Sequence, residues 1–399
     1  MDFHTVESAF QEAVVQGVFP GAVVLVSKDG EIVFEQAFGS RSLIPEKTPL
    51  KANTIFDLAS LTKPLATTIA IMILVREKKI RLDDQITRFI PMFGVFGKST
   101  ATFRQMLNHS SGLPAWKPFH EEIVKMEKAG RINFVASRAA KSFVYEQIHR
   151  EKSLSAPGAQ GLYSDLGFMI LGESVEVVSN ATLERFCQDR IFKPLGLRST
   201  AFVDLTQLRT RRLQPVEEMI APTENCPWRK KILCGEVHDD NAYAMGGVAG
   251  HAGLFSSARD IHALLACLNR CLHGKDDFLP RALLEEFLAK DEKVLNSTCA
   301  LGWDTPSPDK SASGSRFSPR SVGHLGFTGT AVWIDPARDA HVIFLTNRVH
   351  PTRANENGSP VSGKLRLTAV YQTNNIISAT RITPGTTPAM NMPPTDTVG

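Results

Sequence analysis

Two periodicities divide the chain. Val6, Phe10, Ala13 and Val14 recur at helical spacing and predict a helix over residues 5–16. Gly21-Ala22-Val23-Val24-Leu25-Val26-Ser27, the Lys28-Asp29-Gly30 turn and Glu31-Ile32-Val33-Phe34-Glu35 then predict a β-hairpin, with Asp-Gly supplying the turn. A polar connection to about residue 54 leads into an apolar, helix-like stretch over 65–75. That stretch ends at Glu77-Lys78-Lys79, where cations suit a helix C-terminus. From about 80 to 290 the pattern is mostly helical, with segments opening at Leu82-Asp83-Asp84 and running over 102–107, 166–178, 183–192 and 261–271. Asn108-His109-Ser110-Ser111-Gly112-Leu113-Pro114 reads as a turn. Gly246-Gly247-Val248-Ala249-Gly250-His251-Ala252-Gly253 lets backbone approach closely to a ligand or to other backbone. Residues 327–334 and 341–346, joined by Asp335-Pro336-Ala337-Arg338-Asp339, predict a second hairpin.

Strands at both ends with helices between them predict an α+β fold. One antiparallel sheet from both termini, flanked by helices, would stand beside a mostly helical middle lobe, with a cleft between them. The expected organisation is one domain over 1–355, with a sheet lobe at about 1–80 and 290–355 and a helical lobe at about 81–289. Residues 356–399 form a polar tail, rich in Thr, Pro and Asn from about 371, and are expected to be loose.

Composition narrows the function. The 399 residues are 43% hydrophobic, enough for a sizeable core, and carry a formal net charge of +4 with both signs interspersed. No basic arm suggests nucleic acid. Arg209 to Arg212 and Arg229-Lys230-Lys231 read as solvated loop, or less simply as flanks of an anionic substrate site. Met1-Asp2-Phe3-His4 runs straight into an amphipathic pattern without a secretory leader, and no apolar run reaches membrane-spanning length, residues 69–75 coming nearest. Six cysteines without framework density fit a reduced, cytoplasmic setting. Cys267 and Cys271 are one helical turn apart, but no further ligands stand at zinc spacing, so packing is expected and no metal. No cofactor is indicated: Gly97-Lys98-Ser99-Thr100 lacks its upstream glycine, Met92 standing there, and the glycine run has no strand-turn-helix context. No Gly-x-Ser-x-Gly elbow and no His-Glu-x-x-His occur.

Candidate chemistry centres on Phe56-Asp57-Leu58-Ala59-Ser60-Leu61-Thr62-Lys63-Pro64. If a helix starts at Ser60, its hydroxyl and the Lys63 amine are neighbours in the first turn, and Pro64 is tolerated there. A serine needs a base within reach to act as a nucleophile. Desolvation and a cationic neighbourhood would lower the Lys63 pKa and let its amine accept the hydroxyl proton or hold a second base deprotonated, while the helix start favours developing negative charge. Serine also caps helices without any chemistry, so the motif alone leaves both readings open. Ser307-Pro308-Asp309-Lys310 repeats the spacing among residues that form no helix.

Two further segments, Tyr163-Ser164-Asp165 after Pro157-Gly158, and Gly323-His324-Leu325-Gly326-Phe327-Thr328-Gly329-Thr330, follow the Ser-x-x-Lys motif in order. Together the three resemble the serine β-lactamase and penicillin-binding-protein superfamily. The chain is most similar to its class C β-lactamase-like branch, with family VIII carboxylesterases and D-alanyl-D-alanine peptidases, over roughly residues 5–355. The resemblance implies the β-lactamase/transpeptidase-like fold, Ser60 as acylated nucleophile, Lys63 as its partner and Tyr163 as proton acceptor. It also implies an oxyanion hole from the N–H groups of Ser60 and Phe327, and substrate binding by Asp165, His324, Leu325 and Gly326. Asp165 stands where the family often has Asn, and His324-Leu325-Gly326 stands for Lys-Thr-Gly, losing a lysine and a hydroxyl. His238 and His251 are expected near the cleft in structural roles. Three functions follow as expectations: a short-chain carboxylesterase, a β-lactamase or D-alanyl-D-alanine carboxypeptidase, or an idle binding protein of the same fold. The partner would be a small ester or β-lactam; oligomeric state is not encoded.

Overall fold

β1 (Gly21–Lys28) has apolar surface to bury on both faces. Val23 and Leu25 enter the main core, whereas Ala22, Val24 and Val26 join a second core with Phe10, Phe38 and Phe344, the period of two of a strand. It pairs antiparallel with β2 (Glu31–Ser42) on one side and β11 (Ala340–Thr346) on the other. β10 (Ala331–Asp335) and β9 (Val322–Leu325) continue from β11, and β3 (Thr48–Pro49) lies beyond β2, so the order is β3-β2-β1-β11-β10-β9. This computed structural model describes residues 3–130, 133–207, 216–295, 297–307 and 311–355. Arg209 to Arg212, Pro308 to Lys310 of the second Ser-x-x-Lys string, and the tail 356–399 lie outside them.

The sheet built from both chain ends is the one the pattern predicts, but the second hairpin differs in detail. Strand begins at Ala331 rather than at 327, because residues 326–330 make a tight turn with Gly326 N–H donating to Thr330 O at 2.7 Å. β9 precedes that turn. It is short and contains Gly323, where a Cβ would stand 2.3 Å from the Trp333 ring, so the glycine that hides the strand from pattern reading is required by its neighbour.

α1 (His4–Val15) covers one face of the sheet, its Phe10 ring 5.2 Å from Phe38 and 5.4 Å from Phe344. The helix Ala258–Leu272 packs on β1 and β11, although it falls within the span expected of the helical lobe. Its apolar face outweighs chain position. Conversely the Ser60 helix, assigned by position to the sheet lobe, packs against the helix Asp165–Ser179.

That helix runs from a 3₁₀ turn at Ala59–Leu61 through a π-wound turn at Lys63–Thr68 into α2 (Ile69–Arg76). Taken whole, Ala59–Arg76 is 18 residues long and, by length and composition alone, passes for a membrane span, although the unbroken apolar run within it is shorter. A helix apolar on all sides is at home in a core, and 83% of this one is buried. After α3 (Phe103–Leu107), α4 (Phe119–Gly130) and α5 (Arg138–Arg150), α6 (Asp165–Ser179) lies beside it. The glycine-rich stretch locks the pair together. Thr67 Oγ1 donates to Gly250 O at 2.6 Å, and a Cβ on Gly250 would stand 2.0 Å from Phe168 O of α6. Its close approach is therefore to backbone.

β4 (Phe56–Asp57), β5 (Ala201–Phe202) and β8 (Leu254–Ser256) form a small sheet that delivers the chain into Ala59. A further pair, β6 (Asn225–Cys226) and β7 (Lys231–Ile232), flanks Arg229. The expectation of a solvated loop holds for the exposed Lys230 and Lys231 and fails for Arg229, whose side chain is 1% exposed, donates to Asp240 at 2.9 Å and lies 3.9 Å over the Tyr243 ring. Lys98, likewise buried, donates to the carbonyls of Val95, His149 and Glu151, so no phosphate cradle exists there.

Candidate active site

Asp57 orders the backbone before Ser60. It is 1% exposed, and its carboxylate accepts the N–H of Ala59 at 2.9 Å and of His238 at 2.6 Å. Burial pushes its pKa up while these two bonds pull it back. Ala59 adopts a left-handed φ of +47°, a conformation that costs a non-glycine residue about 1–3 kcal/mol and persists where surrounding structure imposes it. The bend turns the chain from β4 into the helix, with Ser60 half-buried at its first turn.

Lys63 stands one turn on. Its Nζ lies 3.1 Å from Ser60 Oγ, 2.7 Å from Asp165 Oδ1, 3.2 Å from His251 O and 4.9 Å from the centre of the Tyr163 ring. Its side chain is 0% exposed. Burial opposes its charge, but Asp165 and Tyr163 more than compensate and raise its pKa above the ordinary lysine value. This direction is opposite to the lowered lysine that desolvation alone would give, and it favours the ammonium form of Lys63.

Tyr163 lies beside Lys63. It is 43% exposed on the cleft, with its hydroxyl end turned to Lys63 and Ser60. Burial raises its pKa, and Asp165 adds to this, while the Lys63 ammonium and the Ser60 hydroxyl pull it down. The start of α6 fixes its place: Ser164 Oγ accepts Gly167 N–H at 3.2 Å and donates to Pro114 O at 2.6 Å, and Asp165 N–H donates to Ala115 O at 2.9 Å.

The turn from β9 to β10 closes the opposite side of the site. Thr328 Oγ1 donates to Asp57 O at 2.8 Å and Thr330 Oγ1 to Leu58 O at 3.0 Å, which latches the turn to the strand before Ser60. A Cβ on Gly326 would stand 2.5 Å from Leu58 O, so this glycine permits the approach. Phe327, 49% exposed, has its ring 5.6 Å from His238 and its carbonyl bonded by Arg348 at 2.7 Å. His238 therefore supports the turn, and His251 serves through its backbone and a 3.0 Å contact to Asp239.

A cavity of about 340 Å³ opens beside Tyr163, with His324, Leu325 and His109 in its wall. His324 Nδ1 donates to Leu325 O at 2.8 Å; burial and the Lys63 charge lower its pKa to about 3, so it is neutral. Leu325 presents an apolar side chain, 38% exposed. His109, absent from the candidates drawn from sequence, accepts Ser164 N–H at 3.0 Å and packs 4.5 Å from Tyr163. Burial holds it neutral as well. The lone signal for it was its place in a polar turn, where it takes a φ of +59°. The latch threonines and Asp57 were also missed, since their partners are backbone atoms that spacing does not reveal.

Among the described residues Cys267, Cys271 and Asp276 bring donor atoms within 4.8 Å of one another, but Arg270 occupies Asp276 at 3.0 Å. Both thiols are buried in the core, the packing role expected of them.

Fold and site together define a serine hydrolase of the β-lactamase and penicillin-binding-protein kind. The family profile described as Beta-lactamase matches residues 6–361, and the chain belongs to that family. An Escherichia coli (strain K12) protein named "Putative D-alanyl-D-alanine carboxypeptidase" is 33% identical over 367 residues, 86% of this chain and 81% of the relative. Among solved structures, the octameric penicillin-binding protein homologue from Pyrococcus abyssi superposes with a TM-score of 0.69 at 21% identity, covering 94% of this chain and 78% of that one. EstCE1, a hydrolase with promiscuous acyltransferase activity, gives 0.66 at 20% identity, with 92% and 98% covered. At these identities the two structures speak for the fold.

Proposed function

We propose that the chain hydrolyses short-chain carboxylic esters through an acyl-enzyme on Ser60. The observation that carries this is the line Ser60–Lys63–Asp165, at 3.1 and 2.7 Å, with Tyr163 against it. As Ser60 Oγ bonds to the ester carbonyl carbon, the phenolate form of Tyr163, stabilised by the Lys63 ammonium, takes the hydroxyl proton. Charge on the former carbonyl oxygen falls to the N–H groups of Ser60 and Phe327. Collapse breaks the C–O bond, and Tyr163 returns the proton to the departing alkoxide. Water then gives a proton to Tyr163 and its oxygen to the acyl carbon; Ser60 leaves and is reprotonated. Neutral His324 and apolar Leu325 put no positive charge on β9 for a substrate carboxylate, which favours a neutral ester.

Wild type is expected to turn over p-nitrophenyl acetate and butyrate saturably, with loss of that turnover in Ser60→Ala and little cleavage of nitrocefin alongside. Equal ester hydrolysis in both proteins would remove Ser60 from the chemistry. A second reading, a D-alanyl-D-alanine carboxypeptidase, is favoured by the name of the 33% identical relative. Release of D-alanine from an acylated D-alanyl-D-alanine peptide, faster than ester hydrolysis, would establish it.

A further inference from the structure

The cavity beside Tyr163 holds a carboxyl group that this chemistry does not use. Asp304 lines it, together with Tyr163, Trp303, Thr298, His324 and Leu325. The residue is fixed at the sheet margin: its N–H donates to Gly323 O at 2.8 Å and its carbonyl accepts Gly323 N–H at 2.9 Å. One carboxylate oxygen, Oδ1, accepts Thr298 Oγ1 at 2.8 Å and Thr305 N–H at 2.9 Å. No cation among the described residues balances the carboxylate, and burial pushes its pKa up.

The rest of the wall is neutral. His109 and His324 are held uncharged, and burial raises the Cys299 thiol to about 11. Lys63 is sealed behind Tyr163 and committed to Asp165. A carboxylate anchored through one oxygen, without a counter-charge, beside the aromatic rings of Tyr163 and Trp303, has the chemistry that recognises an ammonium group.

We infer that this cavity is a subsite for a protonated amine on the substrate, with Asp304 as its anchor. The inference rests on the reading of Ser60 as the nucleophile only for which molecule carries the amine. Two ester pairs test it: p-nitrophenyl 6-aminohexanoate against heptanoate places the amine on the acyl side, and 4-(aminomethyl)phenyl against 4-methylphenyl acetate places it on the alcohol side. In wild type the amine-bearing member of at least one pair is expected to have a kcat/KM about tenfold or more above its neutral partner. That ratio should fall towards one in Asp304→Asn and Asp304→Ser, two variants whose melting temperatures report folding. Calorimetry on Ser60→Ala with n-butylammonium and n-butanol reads the same subsite without turnover. Binding of the ammonium but not the alcohol, lost when Asp304→Asn is added, is expected. Equal ratios in wild type with no selective ammonium binding, or a preference that survives both Asp304 variants, would overturn the proposal. Absent ester turnover with Asp304-dependent ammonium binding would sink the esterase reading and leave the subsite standing.

Discussion

On the proposed mechanism, the reactivity of Ser60 depends on Lys63, Asp165 and Tyr163, whose charges have to be read together. Lys63 is held towards its ammonium form, because Asp165 at 2.7 Å and Tyr163 together outweigh the cost of burial. Tyr163 acts as a base only when it has lost its own proton, and its pKa lies above the ordinary phenol value. Lowering the pH therefore protonates the base and removes activity. Ester kcat/KM should rise about tenfold per pH unit on the acid side of that ionisation. His324, with a pKa near 3, adds no inflection from pH 5 to 9, so His324→Gln should keep the shape of the profile. An inflection near 6.5 that vanished in this variant would transfer the base role to histidine. Tyr163→Phe should cost about 10³-fold in kcat/KM. Ser60, Lys63 and Tyr163 were legible as residue types in order. The state of Lys63 was not, since it depends on Asp165 at a distance that only the fold creates.

At the scale of elements, the β9–β10 turn and the Ser60 strand behave as one piece. Thr328 and Thr330 bond to the carbonyls of Asp57 and Leu58, so the two N–H groups proposed as the oxyanion hole are tied through side chains of a single turn. Thr328→Val with Thr330→Val should lower kcat about tenfold with little change in KM, because the bonds position transition-state contacts rather than substrate. A rise in KM at unchanged kcat would assign the turn to ground-state binding. Long periodic elements such as α6 were readable from spacing. β9 was not, with four residues and a glycine demanded by Trp333, and neither was the burial of Arg229, whose partners Asp240 and Tyr243 follow in a separate helix.

For the whole molecule, the decisive contact joins the chain ends: Val24 pairs with Phe344 and Leu25 with Ile343 in the middle of the sheet. Leu25 is 0% exposed, and Leu25→Ala should cost about 3 kcal/mol. Hydrogen exchange should show the amides of β1 and β11 losing protection together in that variant. Loss confined to β1 would mean that the sheet opens strand by strand. The pairing also sets an order of events during synthesis. β1 and β2 leave the ribosome early, yet the strand that completes them is among the last described segments made. At ~5–20 residues per second, the apolar edge of β1 waits tens of seconds for its partner. For that interval the hairpin is a nascent chain with an open, sticky margin, and a chaperone that shields it until Thr346 has been translated would decide how much active enzyme a cell obtains.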